Sequence, residues 1–154
     1  MKRSALLPLF AASVLVLSGP NESCDDHDRQ ANTEYLQQNA QNEDVTETDS
    51  GLQYRIIETS DGPVPAASDS VRIDFVGRFI DGTIFDTTSD LPNGLTFKVE
   101  NFTLDGVREG ILLMEEGATY EFVVPSNLGF GETTAGDICP GTTLIFELSL
   151  VEIF

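Results

Sequence analysis

The stretch Phe75-Val76-Gly77-Arg78-Phe79-Ile80-Asp81-Gly82-Thr83-Ile84-Phe85-Asp86-Thr87-Thr88 decides how this chain is read. Asp81-Gly82 is a tight-turn signal, because a hairpin turn needs positive φ and glycine adopts it without strain. It joins Val76–Ile80 to Thr83–Phe85. Just upstream, Val71, Ile73 and Phe75 alternate with Arg72 and Asp74, the period of a half-buried antiparallel strand. The same alternation recurs in Leu52, Tyr54 and Ile56, and in Tyr120, Phe122 and Val124 before Pro125. A last strand, Thr143 to Phe154, alternates through Leu144, Phe146, Leu148 and Leu150. Between these strands Val107, Ile111 and Met114 fall at helical spacing, and Gly117 offers a C-terminal cap. Several strands and one short helix predict an α+β domain over residues 51–154, with the helix covering one face of the sheet.

Charge divides the 154 residues into three segments. Residues 1–19 carry Lys2 and Arg3 and no acids. Residues 20–50 carry nine acids against Arg29 alone. Residues 51–154 carry seventeen acids and five bases, which completes a formal charge of −18. Such a surface repels nucleic-acid phosphates and anionic lipid head groups alike. The first segment predicts an export signal. Its apolar run, Ala5 to Leu17, is too short to span about 30 Å of hydrocarbon but fits a signal core. Val16 and Ser18 allow cleavage after Ser18; Leu17-Ser18-Gly19 resembles the start of a lipoprotein box, but Pro20 stands where a lipid-bearing Cys belongs, and the alternative, Cys24, follows a poor box in Asn21-Glu22-Ser23, so lipid anchoring stays open.

Residues 20–50 are poor in large apolar side chains and predict an acidic, mostly flexible tether. One short helix is expected near 32–41, with Asn32 as N-cap and Tyr35 and Leu36 as its apolar face. Cys24 and Cys139 are the only cysteines, and sequence leaves open whether they meet.

Nucleophilic and metal chemistry find little support. His27 is the sole histidine and lies outside the domain, so Ser126, Ser149 and Cys139 have no base partner there. Asp25-Asp26-His27-Asp28 reads as solvated tether rather than a metal site. Gly129-Phe130-Gly131 lacks the lysine of a phosphate-binding loop. What stands out is aromatic: Phe75, Phe85-Asp86, Phe97, Phe130 and Phe146, which pattern alone reads as a Phe-rich core.

Longer motifs change that weighting. Ser50 to Ile57 resembles the first strand of a bacterial FKBP-type peptidyl-prolyl isomerase. Phe75-Val76-Gly77 through Thr88 resembles that family's next two strands, including a Phe-Asp pair. Gly106 to Met114 is similar to its helix, Val124 to Gly131 and Gly136 to Pro140 to its flap loop, and Thr143 to Leu148 to its closing strand. Glu34 to Ala40 is similar to the helix that precedes the domain in exported members. The resemblance covers residues 33–154 in order.

The resemblance implies an antiparallel half-barrel of five to six strands wrapped on one short helix, enclosing an apolar pocket. It implies prolyl isomerisation of polypeptides, with weakly held macrolides as further ligands and no cofactor or metal. In the roles it implies, Asp86, Phe85 and Phe130 are catalytic. Phe75, Leu95, Leu104, Val107, Ile138 and Phe146 bind substrate. Asp86 faces the substrate amide, and the Leu104 N–H meets a substrate carbonyl. Departures from the family are also legible. Val107 stands where Trp is usual, Phe75 and Phe130 where Tyr is usual, and Cys139 where the first of two prolines is usual. No Arg follows Asp86 closely, since Leu91 occupies that region, and Asp137 sets a charge beside Ile138. The expectation is an exported, monomeric isomerase in the periplasm or outer membrane of a Gram-negative bacterium. Its rivals are a catalytically weak chaperone or peptide-binding module on the same fold, and an accessory factor acting through the acidic tether.

Overall fold

The computed structural model describes Cys24 and residues 27–154. The export-signal run, the cleavage position and the lipoprotein-box residues lie outside the described residues. The quoted stretch forms β3 (Ser70–Arg78) and β4 (Ile84–Thr87), antiparallel across the Asp81-Gly82 turn. The Phe79 N–H donates to the Thr83 carbonyl and the Gly82 N–H to the Phe79 carbonyl, closing that turn. Around this hairpin lie β1 (Thr46–Glu47), β2 (Gln53–Glu58), β5 (Leu95–Lys98), β6 (Thr119–Val124) and β7 (Leu144–Ile153). The order is β1-β2-β6-β7-β3-β4, with β5 also paired to β3. Six of the seven strands belong to the 51–154 domain; β1 comes from the segment before it.

Register puts the alternating residues on one face. Ile73 lies opposite Leu150, Phe75 opposite Leu148 and Gly77 opposite Phe146, while Asp74 and Ser149, and Val76 and Glu147, share the other face. The inner residues pack on α2 (Asp105–Ile111), and Val71, Ile73, Ile111, Met114, Phe122, Leu148 and Leu150 are fully or almost fully buried. Gly110 lets α2 approach β6, since a Cβ there would sit 2.6 Å from the Phe122 ring. The helix is shorter than its apolar spacing suggested. After Ile111 the bonds tighten to i→i+3, from Leu113 N to Gly110 O and from Met114 N to Ile111 O. Gly117 therefore does not cap α2. It lies six residues beyond Ile111 with φ +89°, and its N–H donates to the Leu150 carbonyl of β7.

The segment before the domain carries α1 (Arg29–Asn39) as well as β1. Its cap is Asp28, whose carboxylate accepts from the Ala31 N–H at 2.9 Å. The expected cap, Asn32, is instead buried one turn inside the helix, 5% exposed, because its amide oxygen accepts from Thr143 N–H at 2.8 Å. The helix lies against the outer face of β2. There Gln53, on the side opposite Leu52 and Tyr54, donates to the Leu36 carbonyl and Glu47 and accepts from Asn39. Cys24 and Cys139 form a disulfide across 115 residues of sequence.

Candidate active site

The expected aromatic residues meet on the inner face. Phe75 and Phe85 each approach Phe146 edge-on, with ring centroids 5.8 Å and 5.6 Å away. Such edge-to-face contacts set the positive ring edge against the negative face of a neighbour. Phe79 extends the group, 5.1 Å from Phe85, although sequence reading did not single it out. Phe97 does not join it. Register sets Phe97 opposite Val71, four residues along β3 from Phe75, and its ring packs on Phe102 at 4.5 Å.

A β-bulge explains how Phe85 and its neighbour Asp86 serve one face. Gly77 pairs with Asp86 and Arg78 with Ile84, so Phe85 is the additional residue on β4. Strict alternation would turn Phe85 and Asp86 to opposite sides of the sheet. Where two residues oppose one, both can face the same side. A Cβ on Gly77 would lie 2.6 Å from Phe85 Cζ, so the Phe85 ring covers the direction in which Gly77 and its partner Asp86 point. Glycine at 77 is thus what admits the ring.

Asp86 is exposed, its Oδ1 accepts from the Thr87 N–H at 2.9 Å, and it makes no ion pair among the described residues. Leu91 is 46% exposed on the opposite side. The end of β4 is locked by Thr88, 4% exposed, whose hydroxyl accepts from the Phe75 N–H at 2.9 Å while its own N–H donates to the Phe75 carbonyl. A buried threonine at a strand end carries no signal that sequence alone would mark.

Val107, Leu104 and Ile138 are all buried within the core cluster that contains Phe146, and Phe75, Phe85, Leu95 and Phe130 pack against it half-buried. Leu104 precedes α2 in extended conformation, and its N–H donates to no backbone acceptor among the described residues. Phe130 and Ile138 belong to the loop between a 3-10 turn (Ser126–Leu128) and β7. Reciprocal bonds between Ala135 and Ile138, 3.0 and 2.9 Å, pinch its tip. Chemically the assembly offers an apolar aromatic surface with the Asp86 carboxylate at its edge and, among the described residues, no nucleophile–base pair. Among the described residues no three metal-ligating side chains converge.

A groove of about 520 Å³ lies elsewhere, on the outer face, lined by Arg72, Asp74, Val76, Leu91, Glu147 and Ser149 among others. Volume and chemistry disagree here. A proline ring is recognised by apolar walls with a few placed polar groups. The outer groove presents more polar than apolar surface, and its Arg72 is already paired with Glu152 at 2.9 Å. The inner aromatic face is the better candidate.

Comparison with known proteins shows the family. The family model described as FKBP-type peptidyl-prolyl cis-trans isomerase matches residues 62–151, and the domain amino terminal to FKBP-type peptidyl-prolyl isomerase matches residues 21–56. The chain belongs to the FKBP-type peptidyl-prolyl cis-trans isomerase family. It is 42% identical over 120 residues to the FKBP-type 22 kDa peptidyl-prolyl cis-trans isomerase of Escherichia coli, covering 77% of this chain and 58% of that protein. To the outer membrane protein MIP of Legionella longbeachae it is 37% identical, covering 77% of this chain and 51% of the relative. The chain thus spans only somewhat more than half the length of these relatives. The crystal structure of a peptidyl-prolyl cis-trans isomerase from Pseudomonas syringae superposes with a TM-score of 0.74 at 29% identity, covering 80% of this chain and 91% of that one. FkpA from Escherichia coli superposes at 0.76 and 28%, covering 80% and 58%.

Proposed function

We propose that this chain catalyses cis-trans isomerisation of X-Pro peptide bonds in polypeptides and so assists the folding of extracytoplasmic proteins. The observation that carries this is the bulge at Phe85, which sets the Phe75–Phe85–Phe146 aromatic group and the Asp86 carboxylate on one face. The barrier to rotation, about 18–20 kcal/mol, arises from amide resonance. Planar amides are more polar than twisted ones. A pocket that strips water from the carbonyl removes hydrogen bonds favouring the planar form, and therefore binds the twisted conformer relatively better. Phe75, Phe85, Phe146 and Leu95 are the proline-facing walls, Val107 the floor and Ile138 the cover. Phe130 closes the loop side. Asp86 is the polar group beside the rotating bond, and the Leu104 N–H receives a substrate carbonyl.

Catalysis without a nucleophile suits a site that has none. A peptide-binding module with little turnover is the second reading, favoured by the aliphatic floor at Val107 and the missing hydroxyl at Phe130. Export is supported by the Lys2-Arg3 start, the Ala5–Leu17 run and the Cys24–Cys139 disulfide, a bond that persists in oxidising compartments. The name of the Legionella relative points to the outer membrane. No helix among the described residues is long and apolar enough to cross a membrane. We take the protein as a monomer acting on proline-containing segments, with weak macrolide binding. The test is the cis/trans exchange rate of a short X-Pro peptide with the wild-type protein and Asp86→Ala. Acceleration that falls in the variant supports the isomerase. No acceleration by folded protein leaves the binding module.

A further inference from the structure

The loop of residues 129–143 contributes Phe130 and Ile138 to the site, yet little of it is held by strand pairing. Its own bonds are few: the Thr133 N–H to the Phe130 carbonyl, Ala135 with Ile138, the Gly141 N–H to the Gly131 carbonyl, and Thr142 to the Cys139 carbonyl, while at its start the Gly129 and Gly131 N–H groups both donate to the Ser126 carbonyl. Residues 132–134 and 136–137 are exposed. Beyond those local bonds, what grips the loop, chiefly its carboxyl-terminal half, comes from the opposite end of the chain. Cys139, next to Ile138, is bonded to Cys24. Arg29 forks onto Glu132 at 3.1 and 2.6 Å, and its stem covers Gly141, where a Cβ would lie 3.3 Å from it. His27 Nε2 lies 3.3 Å from the Thr142 hydroxyl, and Asn32 accepts from the Thr143 N–H.

These contacts are unequal. The Arg29–Glu132 pair is open to solvent on both sides and adds little by itself. The Asn32–Thr143 bond is buried, so breaking it leaves a backbone N–H without a partner. The disulfide is covalent. Together they fix the carboxyl-terminal half of the loop, from Cys139 to Thr143, whereas Ile138 and Phe130 settle onto the core.

Resting on the isomerase reading of the site, we infer that the amino-terminal segment, Cys24 with α1, is a positioning element for substrate binding. Through Asn32 and the Cys24–Cys139 disulfide it holds the loop that carries Ile138 and Phe130, which makes peptide affinity sensitive to the redox state of that cysteine pair. A dithiol opens the switch. It passes two electrons, with two protons, to the Cys24–Cys139 bond, leaving two protein thiols and becoming a disulfide itself. Substrate then has to order the loop as it binds, which costs affinity. The strands that carry Phe75, Phe85, Asp86 and Phe146 stay paired, so turnover of bound substrate changes little.

The experiment compares the full chain oxidised, and reduced by a dithiol with both thiols then alkylated, alongside Cys24→Ser with Cys139→Ser, and Asn32→Ala. KM and kcat are measured on an X-Pro peptide, and amide hydrogen exchange is followed in parallel. The expected result is a KM rise of roughly threefold to tenfold on reduction, with kcat changed less than about twofold. Exchange should quicken at residues 131–142 but not in β3 or β7. The double serine variant should match the reduced protein and ignore the dithiol, and Asn32→Ala should shift KM the same way by less. An unchanged KM overturns the inference, whether or not loop exchange quickens. So does exchange that quickens equally in β3 and β7, because that reports unfolding of the domain. If the oxidised chain accelerates nothing, the isomerase reading fails separately. The peptide's Kd in the two redox states then decides the inference in place of KM.

Discussion

The proposed site has two walls built by different means. One stands on paired strands: Phe75 and Gly77 on β3, Phe85 and Asp86 on β4, Phe146 on β7, each fixed by register, with the Phe75 and Phe85 rings packed within 6 Å of Phe146. The other stands on the 129–143 loop, whose carboxyl-terminal half beside Ile138 is tied to Cys24 and to Asn32 of α1, about a hundred residues away in sequence. A strand wall is specified many times over, since slipping the register by one residue turns every side chain to the wrong face. A loop wall has no such redundancy, so a few bonds decide whether it is ordered. The lesson is that damage to the first wall should appear as lost stability, and damage to the second as lost affinity.

The largest break is Phe146→Ala. It removes a ring contacted by both Phe75 and Phe85 and should cost about 3–5 kcal/mol in denaturant unfolding, with activity lost as well. Alkaline titration tests the strand framework next. Burial, then the hydrogen bond to Glu115 at 2.9 Å and that carboxylate's charge, push Tyr120 up to about 12. Because the folded pKa lies above the ordinary value of 10, the contribution is complete below pH 10 and is lost as pH rises through 12. Stability should fall by about 2–3 kcal/mol across that window, and Tyr120→Phe should flatten the fall.

Gly77→Ala sharpens the comparison within the strand wall. Its Cβ must displace the Phe85 ring, which should cost about 1–3 kcal/mol and lower isomerisation together with stability. Asp86→Ala should separate the two. Its side chain is exposed, so melting should move little, while kcat/KM falls roughly tenfold or more if the carboxylate meets the amide. The smallest effect belongs to the loop wall. Phe130→Tyr adds a donor worth about 0.5–1.5 kcal/mol and should raise kcat/KM severalfold in an isomerase. In a pocket used only for binding it should leave turnover unchanged.

Much of the strand wall was legible beforehand. The alternation at Val71, Ile73 and Phe75 and the Asp81-Gly82 turn carry their own period and turn chemistry, so the hairpin follows from local sequence. The bulge was not legible, because nothing in Ile84-Phe85-Asp86 says that two residues will oppose one. It is decided by how β4 meets Gly77 and by Thr88 closing on Phe75. Similarly, Asn32 has the composition of a cap, yet burial against Thr143 outweighed that preference, and Asp28 took the role. Phe97 was grouped with the site by type, whereas register sent it to Phe102.

Sequence by itself determined the strand alternation, the hairpin, the acidic surface and the family motifs, because each is written in residue types at short, fixed spacing. Only the tertiary structure decided that Cys24 meets Cys139, that α1 packs on the outer face of β2 and grips the loop, and that Phe85 and Asp86 share a face. Those depend on groups far apart in the chain or on one unpaired residue in a ladder, where no local pattern records the outcome and packing makes the choice.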